Sequence, residues 1–434
     1  MLDSRALTKL QSMILIAIIV FAGVGGGAAY VLLSGEDQAG ETIKIGVLAD
    51  LDGYNKNYWQ EMVLAGEQIN AEGGILGKQV EVIGEDCVTT SEGYDSSEVS
   101  AALTRLLTVH EVDFVIGAID GEALFASQDI MAQHEKIYIA LTGTFDELTQ
   151  RVIDDYDKYK YYFSCVWNAT SVYQGMTDGL LHFRELTGFK KVGYLAEDIG
   201  IFQDAVDGLD HFLPENGFEL VYKGVCPPSV VDFSSYFAAA ESAGVEVLVP
   251  LIAVQGVPFV KEYYDRQSPM TVYGGLVIGA ATPNSWELLE GKCNCVTIGV
   301  LPAVAGYPLT SKTLPFRDAY VNRWNEISEG GGLAYDVLRY ILTDAIERAG
   351  TTETDAVIEA LEKTSVETAT AKNWIFTHSH ALMMGKNPND PNADYAMVLY
   401  FQWQDGELVP VYPKKIMDEA GATYMFPNWA GPWE

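Results

Sequence analysis

Apolar positions in this chain alternate between short extended runs and amphipathic helical stretches, in a pattern that begins near residue 43 and restarts once. In the first half the spacing predicts strands at Ile43–Val47, Gln79–Ile83, Phe114–Gly117 and Ile137–Leu141. Helices are predicted between them at Tyr58–Asn70, Ser97–His110 and about Leu124–Gln133, the second with Ala101, Leu103, Leu106 and Leu107 on its apolar face. Beyond Tyr161-Tyr162-Phe163 the pattern starts again, with strands at Lys191–Ala196, Glu219–Gly224, Val245–Leu251, Val272–Val277 and Val296–Leu301. Helices at about Ser171–Leu186, Ile201–Leu213, Phe233–Ala243 and Val257–Arg266 separate them. Strand and helix in strict alternation build open parallel sheets, so the expected class is α/β with two doubly wound, Rossmann-like lobes. The last third departs from this rhythm. It predicts helices at Ser311–Glu329, Ala334–Ala349 and Glu353–Lys363, then a hairpin of Met397–Trp403 and Glu407–Tyr412 turning at Asp405-Gly406.

One stretch, Gln68 to Asp86, organises the first lobe. Gly73-Gly74 takes positive φ to close the helix, Ile75-Leu76 folds back as the apolar contact of that cap, and Gly77 allows a second reversal before the next strand. The run of Gly66, Ile69-Asn70, Gly73-Gly74-Ile75, Gly77, Val80 and Asp86, placed after the IKIGVLAD strand, resembles the leucine/isoleucine/valine-binding protein family. These are the type I extracytoplasmic solute receptors of ABC importers. The resemblance spans about residues 42 to 415 and implies two lobes joined by a three-strand hinge. It places crossings near Ser164–Asn168, Leu301–Ala305 and Thr377–Ala381. Lobe 1 is then 42–165 plus 303–378, and lobe 2 is 166–302 plus 379–434.

Met13 to Leu33 is a run of 21 residues without a charge, preceded by Arg5 and Lys9. That length spans a hydrocarbon core as one N-terminal transmembrane helix, with the body of the protein outside the cytoplasm. The expected location is a cell membrane, single-pass; a signal segment cleaved near Gly27-Ala28-Ala29 is the alternative. Residues 1–33 are thus anchor or signal, and 34–41 a polar tether reaching about 16 Å. The net charge is -33, and the first 35 residues contribute only Asp3, Arg5 and Lys9. So acidic a body is repelled by nucleic acid and by anionic headgroups, which excludes nucleic acid as a partner. Of five cysteines, Cys293 and Cys295 share a loop with poor zinc spacing, and Cys165 and Cys226 read as small buried hydrophobes. Cys87 matches a position that is often bridged in the resembled family, where the partner position here is Asp120.

In an open α/β sheet, ligands bind beyond the carboxyl ends of the strands. Two loops of lobe 1 lie there, Ala118-Ile119-Asp120-Gly121-Glu122 and Thr142-Gly143-Thr144-Phe145-Asp146. The resemblance implies that Thr144 holds a ligand carboxylate. It also implies that the family serine position falls on Gly121 or Glu122, and that Thr142 replaces a backbone-contact alanine. In lobe 2 the first crossing offers Trp167 and Tyr173 and no acid, so Glu197-Asp198 is expected to meet a ligand ammonium and Phe202 to stack. Tyr54, Asp50, Asp52 and Trp59 complete the expected lining. Aromatic faces beside carboxylates suit a cationic or amide-bearing solute. No nucleophile elbow, P-loop or HExxH run occurs, and His378-Ser379-His380 lacks a third ligand, so neither catalysis, cofactor nor metal is expected. The reading is a receptor that closes on a small polar solute, an amino acid or a related amide or amine, and presents it to ABC permease subunits. The alternative is a sensor of the same fold that signals through a separate membrane partner.

Overall fold

The computed structural model describes residues 29–31, 42–53, 55–87, 89–90, 93–143, 145–166, 169–384, 386–387, 390–394 and 396–431. Lobe 1 is built on five parallel strands, β1 (Ile43–Ala49), β2 (Val80–Asp86), β3 (Phe114–Gly117), β4 (Tyr138–Ala140) and β5 (Tyr162–Ser164). Their order is β2-β1-β3-β4-β5, so the winding reverses between β1 and β3. Ala29–Val31 adds an antiparallel strand at the β2 edge. Residues 29–31 of the predicted transmembrane run are therefore extended rather than helical. The remainder of 13–33 lies outside the described residues, among which no helix is long and apolar enough to cross a membrane.

The glycine-rich unit folds for reasons that are local. Helix α1 (Lys56–Ala71) ends where Gly73 and Gly74 take φ of 110° and 80°, and a side chain on Gly74 would strike the Lys78 carbonyl. The Asn70 amide both donates to the Val80 carbonyl at 2.8 Å and accepts the Val80 N–H at 2.7 Å, which fastens helix to strand. Ile75 is buried as expected, but Leu76 is exposed at φ 52° because it forms the tip of the Ile75–Lys78 turn.

Lobe 2 repeats the scheme with β6 (Lys191–Glu197), β7 (Glu219–Cys226), β8 (Val247–Ile252) and two short pieces, β9 (Thr271–Val272) and β10 (Leu276–Val277). The order is β7-β6-β8, with β9 and β10 both parallel to β8. The single strand expected at Val272–Val277 is split because Pro250 in β8 offers no N–H there and Gly275 crowds its carbonyl. A separate antiparallel sheet joins β11 (Thr297–Gly299), β12 (Tyr400–Gln404) and β13 (Glu407–Tyr412). Asp405 and Gly406 turn the hairpin with φ of 52° and 97°, the paired left-handed geometry of a two-residue connection.

One face of the lobe 1 sheet, with Ile45, Val47 and Ile116, packs on α1 and on the helical stretch 333–349, which contributes Leu338, Ile341 and Ile346. The opposite face packs Leu103 and Leu106 of helix α2 (Ser96–Thr108) with Val115 and Tyr138. The first crossing leaves lobe 1 after Cys165. Along the second, Val300 lies in the lobe 2 core and Ala303 in that of lobe 1, within the expected Leu301–Ala305, while Val304 and Leu309 pack with lobe 2 before the Thr310 hydroxyl donates to the Thr368 carbonyl. The third differs most. Ala381 pairs with Ser164 on the lobe 1 edge, Leu382 and Ala396 stay in the lobe 1 core, and Leu399 is the next residue in that of lobe 2. Among the described residues the chain thus passes to lobe 2 between Ala396 and Leu399, beyond the expected Thr377–Ala381.

Candidate functional site

The carboxyl ends of β1, β3 and β4 converge where the lobe 1 winding reverses. Asn55, 2 % exposed, donates from its side chain to the Ala118 carbonyl at 2.6 Å and thereby ties the β1 loop to the β3 loop. Asp120 follows on the β3 loop, half-buried. Burial raises its carboxyl above the ordinary aspartate range, and the Gly143 amide and Thr142 hydroxyl facing it partly offset that rise. The Thr142 hydroxyl also donates to the Ile119 carbonyl at 2.7 Å, locking the β4 loop onto the β3 loop. Gly121, at φ 71°, starts helix α3 (Glu122–His134), and Glu122 lies exposed on its first turn. Asp120, Gly121, Glu122 and Thr142 therefore lie on two adjoining strand-end loops. Tyr54, Thr144 and Trp167 lie outside the described residues.

A second group of carboxylates stands at the ends of β1 and β2. Asp86 accepts the Leu51 N–H at 2.9 Å, and burial, followed by the neighbouring charges of Asp50 and Asp52, pushes its carboxyl upward. Asp86 was legible only as part of the family pattern, and its place beside Asp50 and Asp52 follows from strand pairing. Asp146, the first residue of helix α4 (Asp146–Asp154), accepts the Thr170 hydroxyl at 2.6 Å. Thr170 belongs to helix α5 (Ala169–Thr187) of lobe 2, so this bond spans the cleft between lobes. Sequence reading missed it, since the partners come from different lobes.

Lobe 2 corrects three expectations. Glu197, 1 % exposed, accepts the N–H groups of Ala253, Val254 and Gln255 at 2.9, 2.8 and 2.7 Å. Its carboxylate fills the winding reversal between β6 and β8 and is spent on the chain itself. Phe202, 5 % exposed, packs in the lobe 2 core with Leu209 and Leu213 and offers no face to a ligand. Tyr173 lays its ring on Gly208 and donates to that residue's carbonyl at 2.8 Å, which makes it a link between helices. Asp198 alone remains exposed at a strand end, and its N–H is held by the Cys226 carbonyl.

The other chemistry-bearing residues are internal. All five cysteines are buried and unbridged, and burial pushes the Cys87 thiol up to about 12. His380 is stacked on Phe163 with its ring nitrogens 3.0 Å from the Tyr162 carbonyl and the Glu362 carboxylate, while His378 is exposed. Among the described residues no group of three His, Cys, Asp or Glu is arranged to hold a metal.

The profile of a family described as periplasmic binding protein matches residues 42–386. The Leu/Ile/Val-binding protein homolog 7 of Brucella suis biovar 1 (strain 1330) is 23% identical over 407 residues, covering 88% of this chain and 94% of its own. A solved structure from Silicibacter pomeroyi, ascribed to a branched-chain amino acid ABC transporter, superposes with a TM-score of 0.76 at 19% identity, over 90% of this chain and 100% of that one. The branched-chain amino acid transporter substrate binding protein LivJ of Streptococcus pneumoniae, in complex with isoleucine, gives 0.65 at 19% identity, over 86% and 100%. At these identities the likeness of the two structures is one of fold.

Proposed function

Because this chain belongs to the periplasmic binding protein family, we propose that it is the extracytoplasmic receptor of an ABC importer and captures an amino acid or a related amide or amine. The family is one of solute-binding receptors and not of enzymes. The observation that carries the reading is the Thr170–Asp146 bond, which draws the first helix of lobe 2 onto the β4 loop of lobe 1, next in the chain to the polar group of Asp120, Glu122 and Thr142. A solute bound there touches both lobes and stabilises their closed arrangement, and no bond is made or broken. With Glu197 spent internally, the strand-end acids left for an ammonium or amide are Asp120 and Glu122 of lobe 1 and Asp198 of lobe 2. An anchor in the apolar run that begins at Met13, ahead of the Ala29–Val31 strand, holds the receptor at the membrane beside its permease.

The test is a thermal-shift screen of the purified protein against amino acids, amides, polyamines and betaines. A solute at 100 times its dissociation constant adds about 2.7 kcal/mol. A shift that Asp120→Asn removes supports the reading, and no shift with any member of the panel overturns it.

A further inference from the structure

The three crossings border a partly open cavity of about 240 Å³. Its wall includes Cys165 from the first crossing, Val300 and Leu301 from the second, Ala396 and Leu399 from the third, and Trp374 from lobe 1. None of the strand-end residues Asp120, Glu122 or Thr142 reaches it. The wall is mostly apolar, and it is larger than the cavity of about 150 Å³ that holds a benzene in an apolar protein core. Of its polar side chains, Tyr58 is half-buried, Thr370 donates to Asp336 at 2.7 Å and Glu329 is exposed. Trp374 is 1 % exposed, and its indole Nε1–H has no hydrogen-bond partner. A buried donor without an acceptor is costly, and an indole N–H ordinarily finds one.

We propose that this hinge cavity is a binding site for a compact, neutral apolar group bearing one hydrogen-bond acceptor, which receives the Trp374 Nε1–H. The apolar body replaces water against Val300, Leu301 and Leu399, and the acceptor completes the buried Trp374 donor. A charged group is excluded, because the described wall supplies no buried counter-charge and desolvation would be uncompensated. The occupant touches both lobes and all three crossings, so it favours the lobe arrangement in which the cavity exists. Two sources supply such a group, a free small molecule or the apolar end of the solute held in the cleft, and the second rests on the function proposed above.

The experiment follows the indole N–H resonances of the ¹⁵N-tryptophan-labelled protein, with the Trp374 signal assigned by its loss in Trp374→Phe. The probes are cyclohexanone, which has one acceptor, and benzene, which has none. Cyclohexanone is expected to move the Trp374 signal and to bind about tenfold more tightly than benzene, as one net hydrogen bond requires. Trp374→Phe removes that preference and keeps the binding, and Ala281→Phe, which fills the cavity from lobe 2, removes the binding of both. No movement at Trp374 with either probe, or an unchanged response in Ala281→Phe, overturns the proposal. Displacement of cyclohexanone by a solute that raises the melting temperature assigns the group to that solute. Joint occupancy, or the absence of such a solute, assigns it to a free molecule.

Discussion

The Thr170 hydroxyl donates to the Asp146 carboxylate at 2.6 Å, joining the first turn of a lobe 2 helix to the first residue of a lobe 1 helix. A hydrogen bond to a charged acceptor at an exposed position contributes about 1 kcal/mol to the arrangement in which it forms. Thr170→Val is therefore expected to weaken solute binding about fivefold and to leave the melting temperature of the free protein unchanged. Titration calorimetry with the solute from the thermal-shift screen decides this, and equal affinity in the two proteins would remove the latch from the mechanism.

Glu61 of α1 is fully buried and accepts the Ser328 hydroxyl and the N–H groups of Gly332, Ala334 and Tyr335. Burial outweighs these donors and pushes its carboxyl from 4.5 up to about 7. A group raised on folding stabilises fully below its unfolded value and loses that contribution as pH rises through its folded one. The stability of the wild type relative to Glu61→Gln is thus expected to fall by about 3 kcal/mol between pH 4.5 and 7.5. Urea unfolding of both proteins across that window measures the difference, and a flat difference curve contradicts it. Asp336, likewise buried and raised to about 6, acts in the same direction in both proteins and cancels.

Glu197→Ala leaves three strand-end N–H groups without an acceptor. The expected cost is about 2–4 kcal/mol of stability, from the desolvated donors. The vacated place is a ready anion site, so acetate is expected to restore part of the loss in the variant and none in the wild type. Denaturant midpoints with and without acetate provide the check.

Phe202→Ala removes a core side chain and is expected to cost about 3–5 kcal/mol, with solute affinity unchanged below the unfolding temperature. Asp120→Asn is expected to do the reverse, with affinity about tenfold weaker and the melting temperature of the free protein nearly unchanged. If Phe202→Ala abolished binding in a folded protein, the burial of its ring would not describe the solute-bound form.

The parts of this fold that were legible in the sequence are those fixed by neighbours in the chain. The glycine cap, the Asn70–Val80 clasp and the Asp405-Gly406 turn each involve residues within about one turn and one strand of each other, where backbone conformation alone limits the choice. The four lobe 1 strands expected from the spacing also appear within three residues of their expected bounds. The roles of acids were not legible. Glu197 could face a ligand or cap a loop, and its partners lie 56 to 58 residues on. Glu61 reads as one more polar helix position, yet its partners lie more than 260 residues away. Phe202 is one aromatic after a strand, and only the direction of the short helical turn Gly200–Phe202 sends it inward. The third crossing was misplaced because the pairing of Ala381 with Ser164 extends the lobe 1 edge, and nothing in the local pattern marks that partner.

The interleaving of the lobes also sets a schedule for the ribosome. The parallel sheet of lobe 1 is complete at Ser164, but the helical stretch that covers one of its faces begins only at Leu333, and the last of that core arrives with Ala396. Between those points the whole parallel sheet of lobe 2 is made. A nascent chain thus holds Ile45, Val47 and Ile116 partly uncovered while lobe 2 emerges, and lobe 2 is the first of the two whose parallel sheet can be buried on both faces. The half that is written first waits for its cover, and in the interval its open face is the surface a chaperone meets.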